Sequence, residues 1–268
     1  DLLGPMLGPP SACLSDRRRA GFSAVELRTV QPDTPPGQAL AAARQVIAAG
    51  LGLTIHGALP PRTAGPAAPD PALSAVLREV GRRDGRTMVT LHGFQSKEES
   101  PEALAEASIR AVREFLRNAE CQGLGLDLAL ELNRAKEVND AATTYEGLLA
   151  MAAAIDHPAV GFCWDLGHTA INAHRVGLSL TPPDAFLRRV VHTHIHGLGP
   201  GGQTHWPLRD GALPLPFFLG LLRGSGYAGD LTVELEPPRF AAVVDVREAL
   251  FASVANLMAA AAAAGLTA

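Results

Sequence analysis

Short apolar runs rich in β-forming residues recur along the chain, separated by longer stretches of helical periodicity. The runs FSAVELR (22–28), LGLTIHG (51–57), TMVTLHG (87–93), LDLALEL (126–132), AVGFCWD (159–165), VVHTHIH (190–196) and DLTVELE (230–236) each read as a strand. An eighth candidate, LLGPMLG (2–8), is interrupted by two glycines and a proline. Helices are predicted at 37–49, closing on Gly50, and at 101–120, where Ser100 is the N-cap, Pro101 the first helical residue and Glu102 sits in the first turn. Further helices are predicted at 143–155, 183–189, 214–223 and 244–264.

Near-continuous apolar strands between helices are what a parallel sheet buried on both faces requires. Eight such units without a dinucleotide-binding fingerprint favour a closed (β/α)8 TIM barrel over an open doubly wound sheet. The expected organisation is a single domain over residues 1–268, with the Pro-rich stretch 58–71 and the Gly-rich stretch 197–213 as rim loops.

Composition narrows the setting without changing the fold. With 47% hydrophobic and 19% charged residues the chain is globular in character, and a formal net charge of −4 offers no global basic field for nucleic acid. Cys13, Cys121 and Cys163 are odd in number and far apart, which fits a reducing compartment. Residues 1–10 lack a basic n-region, and the apolar stretch Leu257–Leu266 is too short to span a bilayer. The expectation is a cytoplasmic protein with neither nucleic acid nor membrane as partner. Its oligomeric state stays open, a homo-oligomer included.

The candidate chemistry lies at the strand ends. Glu131, Asp165 and Glu234 stand at or near the ends of their strands, and His194 close behind the tip of its own. His56 and His92 each precede a glycine at a strand end. In a parallel barrel these ends converge on the face that carries active sites. A charged or imidazole group there costs desolvation energy unless it is paired or bound to a metal. Mixed carboxylate and imidazole ligands suit Zn, Mn, Co or Fe, and carboxylate-rich sets also accept Mg. Alternation puts His192, His194 and His196 on one face of their strand, with His192 deepest and His196 at the rim.

The segments GFCWDLGH, HTHIHG followed by THWPL, and GYAGDLTVELEP resemble the xylose isomerase-like barrel superfamily, which covers sugar isomerases, ketose 3-epimerases and endonuclease IV. The resemblance runs from about residue 20 to 240. It implies that Glu131, Asp165, His194 and Glu234 are the shared metal ligands, with His168 beside the substrate. In the 3-epimerase branch, the residues matching Glu131 and Glu234 move a proton on either face of a metal-held carbonyl compound, and Glu137 is retained. Pro200 stands where those enzymes carry an arginine, and the Asn133–Arg134 pair is displaced by one position. In the endonuclease IV branch, His56, His92, His168 and His205 match ligands of a multinuclear cluster, but Gln203 replaces an aspartate.

These signals together predict a metal-dependent isomerase or epimerase acting on a small polyhydroxylated substrate, a sugar, sugar phosphate or cyclitol. Glu131, Glu234 and His168 are the expected catalytic residues. His56, His92 and His205 are expected at a second metal or the substrate, with Glu26, Glu137 and Trp206 as substrate contacts. The competing readings are an endonuclease IV-like phosphodiesterase, a one-metal dehydratase and a sugar-sensing protein without catalysis. Plainer roles stand beside several of these: Glu26 as an ion-pair partner, Trp206 as a loop anchor, His192 and Trp164 as core residues, and His157 and His174 as ordinary surface histidines.

Overall fold

The computed structural model describes residues 21–28, 35–63, 65–209 and 213–266. Its strands are β1 (Ala24–Arg28), β2 (Gly52–His56), β3 (Thr87–Leu91), β4 (Leu126–Glu131), β5 (Val160–Asp165), β6 (Val190–Ile195) and β7 (Thr232–Val233). They form one sheet whose spatial order is the chain order, and the pairings described are parallel. Helices α1 (Pro36–Ala48), α2 (Pro71–Asp84), α3 (Pro101–Cys121), α4 (Tyr145–Ile155), α5 (Leu166–Val176), α6 (Asp184–Leu187), α7 (Leu215–Gly224) and α8 (Val246–Ala263) fill the connections. This is the strand order and alternation of a (β/α)8 barrel. The candidate strand at 2–8 and Cys13 lie outside the described residues.

Contacts divide the chain into two compact units, one of residues 1–130, 139–141 and 150–161, the other of 131–138, 142–149 and 162–268. In the first, Leu27, Ile55, Val89, Leu91, Leu128 and Leu130 are buried strand residues. Helix α3 follows the prediction: Ser100 accepts a hydrogen bond from the Ala103 N–H, and Leu104, Ala107, Ala111, Val112, Phe115 and Ala119 make its buried stripe. Helix α2 is an element the periodicity did not separate from the loop before it. Its start carries ordinary signals all the same, since Asp70 accepts from the Leu73 N–H and Pro71 opens the first turn.

The second unit is built around aromatic rings. Phe162 stacks on Phe186 at 4.7 Å, Tyr145 lies 4.8 Å from Phe186, and Trp164 meets Phe218 edge-on at 5.5 Å. Trp164 packs in the core as expected, and its Nε1 donates to Thr169 Oγ1 at 2.8 Å. Helix α8 is apolar and 18 residues long, enough by length and composition alone to cross a membrane. It is also docked by polar contacts: Leu208 N–H donates to Ser253 Oγ, and Asn256 Nδ2 donates to Leu208 O.

One irregularity sets the site. The β5–β6 ladder pairs Phe162 with Val190 but Cys163 with His192, so Val191 is an extra residue on β6. Beyond it Asp165 lies opposite His194. An uninterrupted ladder would have put Thr193 there, and every later side chain of β6 on the other face. β7 is shorter than predicted, because beyond Val233 the Glu234 N–H still reaches Ile195 O but the Glu236 N–H bonds His205 O instead.

Phe186→Ala should cost about 3–5 kcal/mol, as for other fully buried phenylalanines. The check is a shifted urea midpoint at unchanged slope. A loss below about 1 kcal/mol would show that this aromatic cluster does not hold the unit.

Candidate metal centre

Four side chains at the C-terminal ends of β4, β5, β6 and β7 meet in the second unit. Glu131, Asp165, His194 and Glu234 each place a ligand atom within 4.8 Å of the other three. Glu131, Asp165 and His194 are at most 1% exposed, whereas the Glu234 side chain keeps 18% exposure. The cluster is therefore closed on the Glu131, Asp165 and His194 sides and open beside Glu234.

The spacing fits a cation. His194 Nδ1 lies 3.4 Å from both Glu131 Oε2 and Glu234 Oε2. About 3.4 Å is the edge of a tetrahedron with metal–ligand bonds of about 2.1 Å. Asp165 Oδ2 and Glu234 Oε2 are buried and accept no hydrogen bond. Buried carboxylate oxygens in that state are costly unless a positive charge compensates them. The donor set of three carboxylates and an imidazole accommodates a divalent ion.

The surrounding imidazoles offset part of the cost of burying these carboxylates. Burial alone would raise the Asp165 carboxyl, but His168 and His196 outweigh it and hold the group below its usual range. Burial likewise opposes ionisation of Glu234, and His194 and His205 hold it well below the ordinary value. For His168, burial works against the charged ring, yet Asp165 and Glu131 push it up to about 9. Its Nδ1 contacts Leu132 O at 3.0 Å and lies 3.3 Å from both Glu131 Oε1 and Asp165 Oδ2. Asp165 also caps α5, its Oδ1 accepting from the His168 main-chain N–H at 2.6 Å.

A second group, Asp165, His168, His196 and His205, shares Asp165 with the first. His205 has φ +62°, a left-handed conformation that costs energy in a non-glycine residue. The loop that carries it is clasped. Gly197 and Trp206 exchange both main-chain hydrogen bonds, and a Cβ on Gly199 would sit 2.2 Å from the Trp206 ring. Trp206 is buried, donates to Gln203 Oε1 and packs near Phe240, contacts that tie the loop down. From this clasp His205 Nε2 comes to 3.3 Å from Glu234 Oε2.

The remaining expected site residues are placed as follows. Glu137 is exposed in the loop after β4. In the first unit His56 is buried at the end of β2 with its ring 5.0 Å from that of His92, and Glu26 accepts a hydrogen bond from Thr90 Oγ1. His192 is buried, with Nε2 3.4 Å from Thr232 Oγ1. His157 contacts Glu120 at the surface, and His174 is exposed. His196 departs from the expectation of a rim position. It is wholly buried, because the ring sits against Gly167 at the start of α5.

A parallel α/β barrel with a carboxylate–imidazole cluster at its strand ends is a metal-binding barrel of the kind that supports enzyme sites. The chain belongs to the xylose isomerase-like TIM barrel family, whose sequence profile matches residues 15–254. No curated protein matches it by sequence. Among solved structures it is similar to a D-psicose 3-epimerase with D-tagatose from Clostridium cellulolyticum H10, at 17% identity and TM-score 0.63, over 92% of this chain and 91% of that one. It is also similar to a 3-keto-D-glucoside 4-epimerase from E. coli, at 15% identity and TM-score 0.62, over 93% and 94%. A third is the IolI protein with a bound zinc atom, at 14% identity and TM-score 0.60, over 94% and 92%. At these identities the likeness establishes the shared fold.

Two measurements check the centre. Asp165→Asn should weaken divalent-metal binding by more than about 100-fold, beyond what loss of an outer contact costs. Unchanged affinity would remove Asp165 from the ligand set. In chelated protein the His168 ring should stay protonated at neutral pH and titrate near 9, as followed by NMR. Because that value is raised above the unfolded one, the stability it brings is complete below about pH 6.5 and lost as pH rises through 9. A His168 ring neutral at pH 7 would contradict the geometry.

Proposed function

We propose that this chain is a divalent-metal-dependent epimerase or isomerase acting on a small polyhydroxylated carbonyl compound, by proton transfer next to the carbonyl carbon. The observation that carries this is that Glu131 and Glu234 each bring a carboxylate oxygen to 3.4 Å from the same His194 Nδ1, with the Glu234 side chain the more exposed of the two. A divalent ion held by Glu131, Asp165, His194 and Glu234 would polarise the substrate carbonyl and acidify the adjacent C–H. The chain's own residues do the rest. Glu234, kept ionised and partly exposed, takes the proton. Glu131, or the protonated His168 beside it, returns one. Glu234, open to solvent on one side, exchanges the proton it takes with water before the next turnover.

The epimerase names of the solved structures that share this fold support the reading. So does the absence of a global basic field, which leaves a small neutral or weakly charged substrate as the better fit. We place the polyhydroxylated substrate above Glu234, and take Glu131, Asp165, His194 and Glu234 as the ligands. A second reading, a two-metal hydrolase, rests on the group Asp165, His168, His196 and His205. A count of ions per chain separates the two.

Glu234→Gln removes the base while keeping the side chain's size. It should reduce incorporation of solvent deuterium into a turned-over ketose by at least about 100-fold, consistent with loss of a general base. Wild-type exchange in a folded Glu234→Gln protein would sink the assignment of Glu234.

A further inference from the structure

The main chain dictates the tautomer of His196. Its Nδ1 accepts the His205 N–H at 2.9 Å. A main-chain amide can only donate, so Nδ1 must keep its lone pair, and the proton of the neutral ring is then on Nε2. The same Nδ1 also lies 3.0 Å from Gly197 O, but with no proton on that nitrogen this is a contact and not a hydrogen bond. The ring is wholly buried and is pressed onto the bare Cα of Gly167. A Cβ there would lie 2.0 Å from Cε1, 2.3 Å from Nδ1 and 2.5 Å from Nε2.

The protonated Nε2 lies 3.2 Å from Asp165 Oδ1, an electrostatic contact that is not aligned as a hydrogen bond. That oxygen already accepts the His168 main-chain N–H, while Asp165 Oδ2 accepts no hydrogen bond. The two oxygens of one carboxylate are thus divided: Oδ1 lies against the His168 main-chain N–H and His196 Nε2, and Oδ2 lies 3.3 Å from His168 Nδ1. A nitrogen that carries a proton has no lone pair for a metal.

We propose that His196 is a positioning residue for Asp165. Seated on Gly167 and set in tautomer by the His205 N–H, it holds the polar Nε2–H edge of its ring against Oδ1 and so keeps Oδ2 free for the cation. This rests on the reading of Asp165 as a metal ligand. It also assigns a purpose to the glycine of the WDLGH segment, since any side chain at 167 takes the space of the ring. On this account the group Asp165, His168, His196 and His205 holds no ion of its own.

The test is a titration of metal-stripped protein with Mn²⁺ and Co²⁺ by calorimetry and chelator competition. It compares wild type with His196→Ala, His196→Gln, Gly167→Ala and the double variant His196→Ala/Gly167→Ala. Wild type should bind one ion per chain. His196→Ala should still bind one, about 10–100-fold more weakly, the usual cost of losing an outer partner of a ligand. His196→Gln, which keeps an N–H donor, should recover much of that loss. Gly167→Ala should also weaken binding, and the double variant should bind no more weakly than His196→Ala alone, because both changes remove the same ring.

Wild-type affinity in His196→Ala overturns the proposal. A fall from two ions to one overturns it as well, and makes His196 a ligand. Full additivity in the double variant separates Gly167 from the ring and sinks the seating argument. If His196→Ala does not fold, His196→Gln against Gly167→Ala makes the same comparison. Wild type that binds no ion refutes the metal centre itself, a different result from any of these.

Discussion

Removing the Glu131 and Asp165 carboxylates from water is the constraint around which the second unit is organised. Both are at most 1% exposed, and the desolvation of each ion costs several kcal/mol even after the protein relaxes. Four imidazoles, of His168, His194, His196 and His205, come within 3.4 Å of a carboxylate oxygen of this set, yet Asp165 Oδ2 and Glu234 Oε2 still accept no hydrogen bond. The neighbours lower the cost without satisfying the oxygens. What remains is a negative, pre-arranged cavity wall, and a divalent cation is its natural complement.

That arrangement explains features that look unrelated. His205 holds a left-handed backbone conformation, and such strain persists only where the surroundings over-determine it. Here the Gly197–Trp206 clasp and the Glu236 N–H bond to His205 O do so. The result is an imidazole against Glu234 and a main-chain N–H against His196. The loop acts through both its side chain and its backbone. It completes the wall on the side of β7, where the ladder itself stops after two residues.

Parallel strands bring their C-terminal ends to one edge, so a metal-binding cluster needs only one side chain from each of several strands. Glu234 differs from Glu131 and Asp165 in keeping partial exposure. His168 differs from His196 in its partners. Its Nδ1 turns to carbonyl and carboxylate oxygens and it carries a proton, whereas the His196 Nδ1 is occupied by an amide donor.

Much of this was legible in the residues alone. Alternation and apolar runs located the described strands, and Glu131, Asp165, His194 and Glu234 were singled out because charged groups at apolar strand ends need a reason to be there. Helix α2 was missed although Asp70 and Pro71 announce it, since a proline-rich stretch leads into the same residues. The loop-anchor role of Trp206 was open because a tryptophan among glycines serves either packing or stacking. What the sequence determined by itself is the set of elements and the chemistry at their ends, because periodicity and desolvation cost are local properties. What only the tertiary structure decided is which of those ends face each other. The extra residue Val191 turns His194 toward Asp165, and the space above Gly167 takes His196 from the expected rim into the interior. A bulge and a steric vacancy both arise between segments, and no single segment encodes them.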